Sequence, residues 1–307
     1  MKLREEQKLF KEAQGLARQF VGHKGVNDIE LGLKQINGEL TDEIAIRFNV
    51  TKKKEEKKLK KSEIFPRKVG RFATDVLQNQ TATLQTRNEN PRSIVQPIMG
   101  GIQIQSSLYG TSPNYWGTMG CLFRIQNDIL GFTNYHVLYG KTDPSIVLSD
   151  YVGKLKIFQN LNGTDNKIGI ASSLFNQNLD YATFVIQVPY DELQSINRIE
   201  GLLESYVYPR INMQVLKSGA KTGVTYGIID GRSCIDCSEI SIYNPTSAVS
   251  DKGDSGSVWM LNDGTNIPKP VALHYGGGET NKWAKAKTFA SIFASIRNKI
   301  NNQNLMV

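Results

Sequence analysis

Between residues 1 and 21 the apolar positions fall at Leu3, Leu9, Phe10, Ala13, Leu16, Ala17, Phe20 and Val21. That is largely the i, i+3, i+4 spacing of one helix face. The period then drops to two. Ile29, Leu31 and Leu33 alternate with polar or small residues, as do Ile44, Ile46, Phe48 and Val50, and Asn37-Gly38 supplies turn chemistry between the two runs. A helix, a hairpin and a lysine-rich connector are therefore expected to form a small α/β unit over residues 1–80. Residues 78–94 are polar and contain a proline, which makes them the boundary candidate.

From about residue 95 to 307 the texture changes to short apolar runs punctuated by glycine and turn residues. Examples are GGIQIQSS, MGCLFRIQ, DYATFVIQV, EISIY, SGSVWML and PKPVALHYGGG. Many short strands at regular spacing predict an all-β barrel or sandwich rather than βαβ units. The chain closes on a helical pattern from about Thr288 to Asn301, with Phe289, Ile292, Phe293, Ile296 and Ile300 on one face, expected to dock on the β region.

Charge and cysteine content narrow the setting. The formal net charge is +8, but ten of the 37 basic residues and only three of the 29 acidic ones lie between Lys52 and Arg71, so the rest of the chain is near neutral. That run holds Phe65 as its one aromatic, with Phe72 just beyond it, and lacks the interleaved stacking residues of a nucleic-acid face. It reads as a solvated connector or helix, and nucleic-acid binding is disfavoured. Three cysteines, Cys121, Cys234 and Cys237, make no disulfide framework, and the single CxxC pair lacks a second pair or spaced histidines for zinc. No metal or cofactor is expected. No apolar run approaches a membrane span, and the charged N-terminus lacks the apolar core of a signal peptide, so a cytosolic protein is expected.

Three segments of the β region carry chemistry. His136 ends the apolar run GFTNYHVL, Asp180 stands directly before the buried run YATFVI, and Ser255 lies in the glycine-flanked turn KGDSGS. A serine hydroxyl needs a neighbouring base to act as a nucleophile. Histidine has the pKa for that work, and an aspartate fixes its tautomer and stabilises the imidazolium. Gly253 lets the backbone turn so that the N–H groups of Gly253 and Ser255 converge as an oxyanion hole. Each segment alone is ordinary turn or strand-end chemistry; their order in one β-rich region is what points to acyl transfer.

With TNYHVL, LDYATFVI and GDSGS in these places the chain resembles the trypsin-like, chymotrypsin-fold serine peptidases. The resemblance implies a mostly β fold of two six-stranded barrels, a site in the cleft between them, and His136, Asp180 and Ser255 as catalytic triad. Upstream, IELGLKQINGELTDEIAIRFNVTKKK, FATDVLQ, PIMGGIQIQ and GTMGCLFR are similar to a subfamily with an N-terminal α/β extension, which includes intracellular bacterial trypsin-like proteins and the plant protein Narrow Leaf 1. The histidine motif departs from the family's usual Thr-Ala-Ala-His. Asp165 is a rival aspartate, but no apolar strand follows it closely. In secreted relatives the equivalent of Asp254 pairs with an amine freed by cleavage, and no cleavage signal is evident here.

The resemblance also places a substrate pocket. Its floor position falls by gapless count at Val249, so a preference for Lys or Arg is not supported. His274, with Tyr275 and Gly276, stands on the wall strand in a pattern similar to the Gly-Ile-His-Trp-Gly-Gly of bacterial glutamyl endopeptidases. That suggests a preference for Glu or Gln, with Ser250 as a second contact; the competing reading packs His274 between the barrel and the C-terminal helix. The expected protein is thus a serine endopeptidase acting on a protein or peptide, its basal activity kept low until a partner or ligand orders the loop around Gly253 and Asp254. A peptidase-fold scaffold without efficient turnover is the alternative.

Overall fold

The computed structural model describes residues 3–78, 83–84, 97–109, 115–125, 128–140, 150–159, 166–190, 206–264, 269–278 and 280–303. The N-terminal pattern folds as its periods predict. Helix α1 (Leu3–Ala17) buries Phe10, Ala13 and Ala17 against a hairpin of β1 (Val26–Ile36) and β2 (Glu39–Val50). The hairpin turns on Asn37 and Gly38 with φ of 55° and 85°, the left-handed pair that a tight two-residue turn requires. The lysine-rich connector is not a helix. It makes two single 3-10 turns, Glu56–Lys58 and Lys61–Glu63, and is pinned by Phe65, whose ring stacks on Phe48 at 4.2 Å. A short β3 (Lys68–Val69) then leads into β4 (Phe72–Gln78), which pairs parallel with β2. Most of the expected boundary segment lies outside the described residues, apart from β5 (Thr83–Leu84).

The alternating runs after residue 97 form two closed barrels. The first contains β6 (Ile102–Ser106), β7 (Gly117–Met119), β8 (Cys121–Ile125), β9 (Asp128–Thr133), β10 (Lys156–Phe158), β11 (Lys167–Asn176) and β12 (Tyr181–Ile186), paired in the order β7-β6-β10-β11-β12-β9-β8. β7 and β8 are one run bent at Gly120, whose N–H donates to Phe132 O, so the ring closes. The second contains β13 (Gln214–Gly219), β14 (Gly223–Ser233), β15 (Glu239–Tyr243), β16 (Val258–Leu261), β17 (Pro270–Gly277) and β18 (Trp283–Thr288). Their order β13-β16-β17-β18-β15-β14 is closed by β13–β14 pairing. This is the mostly β, two-barrel chymotrypsin-like architecture. Helix α3 (Phe289–Gln303) ends the described chain and buries Phe289, Ile292, Phe293 and Ile296 in a cluster that includes Phe132 and Tyr181 of the first barrel and Leu273 of the second. It therefore clamps the two barrels together.

The N-terminal sheet is continuous with the second barrel, because β1 pairs antiparallel with β14 from Glu30↔Ser233 to Gly32↔Gly231. A buried charge network crosses this seam. Arg47 bonds Glu30 at 2.5 Å and Asp230 at 2.8 Å. Lys285 bonds Glu30 at 2.6 Å, Glu239 at 2.8 Å and Asp28 at 3.4 Å. The guanidinium passes where side chains are missing: a Cβ on Gly231 would lie 2.1 Å from Arg47 Nη2. Burial alone would raise the Glu30 carboxyl, but Lys285 and Arg47 hold it well below the usual range. Asp28 goes the other way. Burial and then repulsion from Glu30 push it up to about 6, against the pull of Lys285.

A carboxyl raised in the folded state favours folding below its unfolded pKa of about 4 and loses that contribution as pH rises through about 6. Asp28→Asn removes this loss. Urea unfolding of the variant and the wild type should show the stability difference moving in the variant's favour between about pH 4 and pH 7; a constant or opposite difference would contradict the assignment.

Candidate active site

Strand β9 delivers His136 to the interface between the barrels. After Thr133 the chain turns into a single helical turn, α2 (Tyr135–Tyr139), and the imidazole meets Asp180 at the start of β12. His136 Nδ1 lies 2.8 Å from Asp180 Oδ2, and His136 N donates to Oδ1 at 3.0 Å. Asp180 itself is held with φ of 48°, a left-handed backbone that Asp tolerates better than most residues. Its carbonyl accepts from Asn134 Nδ2 at 2.7 Å and Tyr135 N at 3.2 Å. With Nδ1–H donated to the carboxylate, Nε2 is the acceptor. It is buried and has no hydrogen-bond partner among the described residues.

Ser255 comes from the second barrel, on a turn that the first barrel grips. Thr118 N donates to Ser255 O at 2.7 Å, and Thr118 Oγ1 donates to Gly253 O at 2.8 Å. Two glycines permit the grip. Gly253 has φ of 107° and a Cβ there would sit 2.3 Å from the Trp116 ring; at Gly256, φ 94°, it would sit 2.1 Å from Thr118 O. Gly117 links the turn to the histidine, since a Cβ on it would meet both Val137 (2.5 Å) and Ser255 O (2.9 Å). Among the described residues the N–H groups of Gly253 and Ser255 donate to no protein acceptor. The Ser255 hydroxyl is directed at Tyr275 O, 3.1 Å away.

Between the two functional positions of the turn stands Asp254, fully buried. Its Oδ2 accepts from Lys217 Nζ (2.8 Å), Thr222 Oγ1 (2.7 Å) and Asp251 N (3.0 Å), and its Oδ1 from Lys221 N and Thr222 N at 3.0 Å. Burial would raise this carboxyl, yet Lys217 and its hydrogen bond hold it below the usual range. Lys217, wholly buried on β13, went unnoticed in the sequence: QVLKSG gives a lysine at a polar-looking strand position. The nearest signal is the need of a buried Asp254 for a cation once no freed amine is in view.

Of the expected pocket residues, His274 lies beside this pair. His274 is fully buried, its ring edge-on to Trp259 with centroids 6.1 Å apart. Its neighbour Leu273 is the strand residue that clusters with α3. Burial, then Lys217, pushes the His274 pKa down to about 3, so the ring is neutral. Tyr275 turns the other way and donates its OH to Glu239 Oε2 at 2.7 Å. Val249 is fully buried in the second-barrel core with Ile242 and Trp259, and Ser250, also buried, sits beside it. Gly276 and Gly277 pair antiparallel with Leu84 and Thr83 of β5. Asp165 lies outside the described residues. Cys234 is buried and its thiol is pushed up to about 12 by burial; Cys237 is exposed.

No family model matches the chain, and no curated protein matches it. Among solved structures it is similar to a glutamic acid-specific serine protease that uses a histidine triad in substrate binding, at 14% identity and TM-score 0.42, over 64% of this chain and 97% of that one. It is also similar to the serine endoprotease from Yersinia pestis, at 15% identity and TM-score 0.41, over 70% and 69%. A third is the Nocardiopsis protease, at 15% identity and TM-score 0.39, over 67% and 96%. What this chain does rests on its own residues.

Removing one partner of a buried ion pair leaves the other uncompensated, at a cost of about 3–5 kcal/mol. Lys217→Met should lower unfolding free energy by about that much at pH 7, and adding Asp254→Asn should recover part of it. A neutral single variant in urea titration would show that the pair does not hold this turn.

Proposed function

We propose that the chain is a serine endopeptidase with Ser255 as nucleophile, His136 as general base and acid, and Asp180 as the group that orients the imidazole. The observation that carries this reading is the His136–Asp180 bond at 2.8 Å, which leaves a buried Nε2 open at the barrel interface to which the Ser255 turn is tied. Rotation of the Ser255 hydroxyl away from Tyr275 O completes the arrangement. His136 then takes the proton as Oγ attacks the scissile carbonyl, and the oxyanion forms against the N–H groups of Gly253 and Ser255. His136 returns the proton to the leaving amine, and water, deprotonated in turn by His136, hydrolyses the acyl-enzyme. Catalytic hydrogen bonds are commonly incomplete before substrate binds, so the hydroxyl's position is compatible with this role.

The substrate reading follows the residues near Ser255. No acidic side chain stands at Val249, and His274, neutral and near His136 and Asp254, can donate one N–H. A donor in a buried wall rejects side chains that cannot accept from it. The proposal is therefore cleavage after Glu or Gln, in a cytosolic protein resembling the extended intracellular subfamily.

Regulation is proposed to differ from what the sequence suggested. The five bonds to Asp254 order the loop internally, so a partner is not needed for that task. Access is the remaining control. A peptide approaching Ser255 can add as a strand to the β17 edge, and β5 already pairs there, one residue beyond the carbonyl that holds Ser255 Oγ. Occupation of that edge by the chain's own backbone keeps basal activity low, and a partner or ligand that withdraws β5 raises it. The same two features also favour the alternative, a peptidase-fold scaffold with little turnover.

Labelling separates these readings. A fluorophosphonate probe should modify Ser255, and Ser255→Ala and His136→Ala should each reduce hydrolysis by a factor comparable with the double variant, because triad members act as a unit. Near-normal hydrolysis by purified Ser255→Ala would sink the peptidase reading. In a peptide-library digest cleavage should follow Glu or Gln and lose that preference in His274→Ala; cleavage mainly after Arg, Lys or Leu overturns the specificity. Proline at both Thr83 and Leu84, which cannot donate to the β17 edge, should raise the rate on short peptides several-fold. An unchanged rate removes β5 as the brake.

A further inference from the structure

The lysine-rich connector is solvent-exposed, as its charge implies, and it also walls a groove of about 960 Å³ over the N-terminal sheet. Val50 of β2 and Val76 of β4 lie along it, with Leu59, Ile64 and Phe65 from the connector. Ile64 is 41% exposed, so the groove presents apolar surface to solvent. Its cations are Lys24, Lys34, Lys52, Lys53, Lys54 and Arg67. Lys34 and Lys54 have carboxylate partners in Glu43 and Glu63. Lys52, Lys53 and Arg67 form no ion pair among the described residues.

The positions of those unpaired cations limit what fits. Lys53 N bonds the side chain of Gln78, at one end of β4, while Arg67 O accepts from Thr74 N near the other. Thr74 and Gln78 are four positions apart on the strand, a span of about 13 Å at 3.3 Å per residue. The backbones of the two cations are thus anchored at opposite ends of the strand. Two carboxylates four residues apart in an extended peptide match that separation, with apolar side chains between them on Val76 and Ile64. Nucleic acid fits less well. Phe65 is stacked on Phe48 and edge-on to Phe20, so its ring is engaged rather than offered to a base.

We propose that this groove binds an extended acidic peptide, with acidic residues four positions apart flanking an apolar one, as a site separate from the Ser255 cleft. It goes beyond the peptidase reading and does not depend on it. The strand that lines the groove, β4, ends at Gln78, and β5 begins at Thr83, so an occupant would sit a few residues from the segment on the β17 edge.

The test uses full-length Ser255→Ala protein, so that cleavage cannot intervene, and fluorescein-labelled Gly-Glu-Val-Leu-Val-Glu-Gly followed by anisotropy. Binding should weaken with added salt, as pairing to exposed lysines requires. Lys53→Glu with Arg67→Glu should weaken it at least tenfold, while the melting temperature stays unchanged. The peptide with Lys in place of Glu should not bind. Equal affinity of the charge-reversed variant, equal binding of the Lys peptide, tighter binding of an oligothymidylate, or no binding at millimolar peptide would each overturn the proposal.

Discussion

A carboxylate shut away from water organises the second barrel. Asp254 lies between Gly253 and Ser255, whose N–H groups donate to no protein acceptor among the described residues, and its side chain is wholly buried. An ionised carboxylate there is tolerable only if paired and hydrogen-bonded. Lys217 supplies the charge and Thr222, Lys221 and Asp251 supply the remaining donors. Lys217 is fixed on β13 and Lys221 and Thr222 in the turn that leads to β14, so the carboxylate in turn fixes the backbone on either side of it. The positive φ values at Gly253 and Gly256 are the local consequence. The turn cannot relax away from them without unpairing a buried charge.

A second buried network does comparable work at the seam with the N-terminal sheet. Arg47, Glu30, Asp230 and Lys285 interlock across β2, β1, β14 and β18. Such networks add little net stability compared with an apolar core, but they penalise any other register, because a one-residue slip would strand a buried charge. Glycine at positions 32 and 231 makes the room they need. The hairpin is thereby locked to the barrel, in one register, on the side that carries Tyr275.

Much of this was legible in the sequence where one local rule decides the outcome. The 3.6-residue period gave α1 and α3, the two-residue period with Asn37-Gly38 gave the hairpin, and two of the motifs meet in the His136–Asp180 bond. What was hidden depends on pairings between distant residues. Lys217 is an ordinary polar position until Asp254, 37 residues away, is buried against it. The parallel pairing of β4 with β2 and the docking of β5 on β17 leave no periodic trace. The connector from Lys52 is exposed as its charge suggests; its charge does not show that Phe65, packing on Phe48, and the bonds of Lys53 N to Gln78 and of Thr74 N to Arg67 O fold it back along the sheet.

Strand β17 is where these constraints meet. Its side chains alternate between faces, so His274 turns toward Trp259 and the Asp254–Lys217 pair while Tyr275 turns toward Glu239, which also bonds Lys285 and Lys287. Against β18 the register skips from His274 to Gly276, leaving Tyr275 as the extra residue of a bulge. Bulges re-aim the residue they carry and are frequent beside functional sites. Here the Tyr275 carbonyl accepts the Ser255 hydroxyl, and the next two residues accept β5. A displacement of Tyr275 would therefore be felt at three places: the phenol in the charge network, the serine on its carbonyl, and the strand on the neighbouring edge. Through Glu239, Lys285 and Glu30 the charge network ties the phenol to the N-terminal sheet, while the carbonyl of the same residue holds the serine hydroxyl.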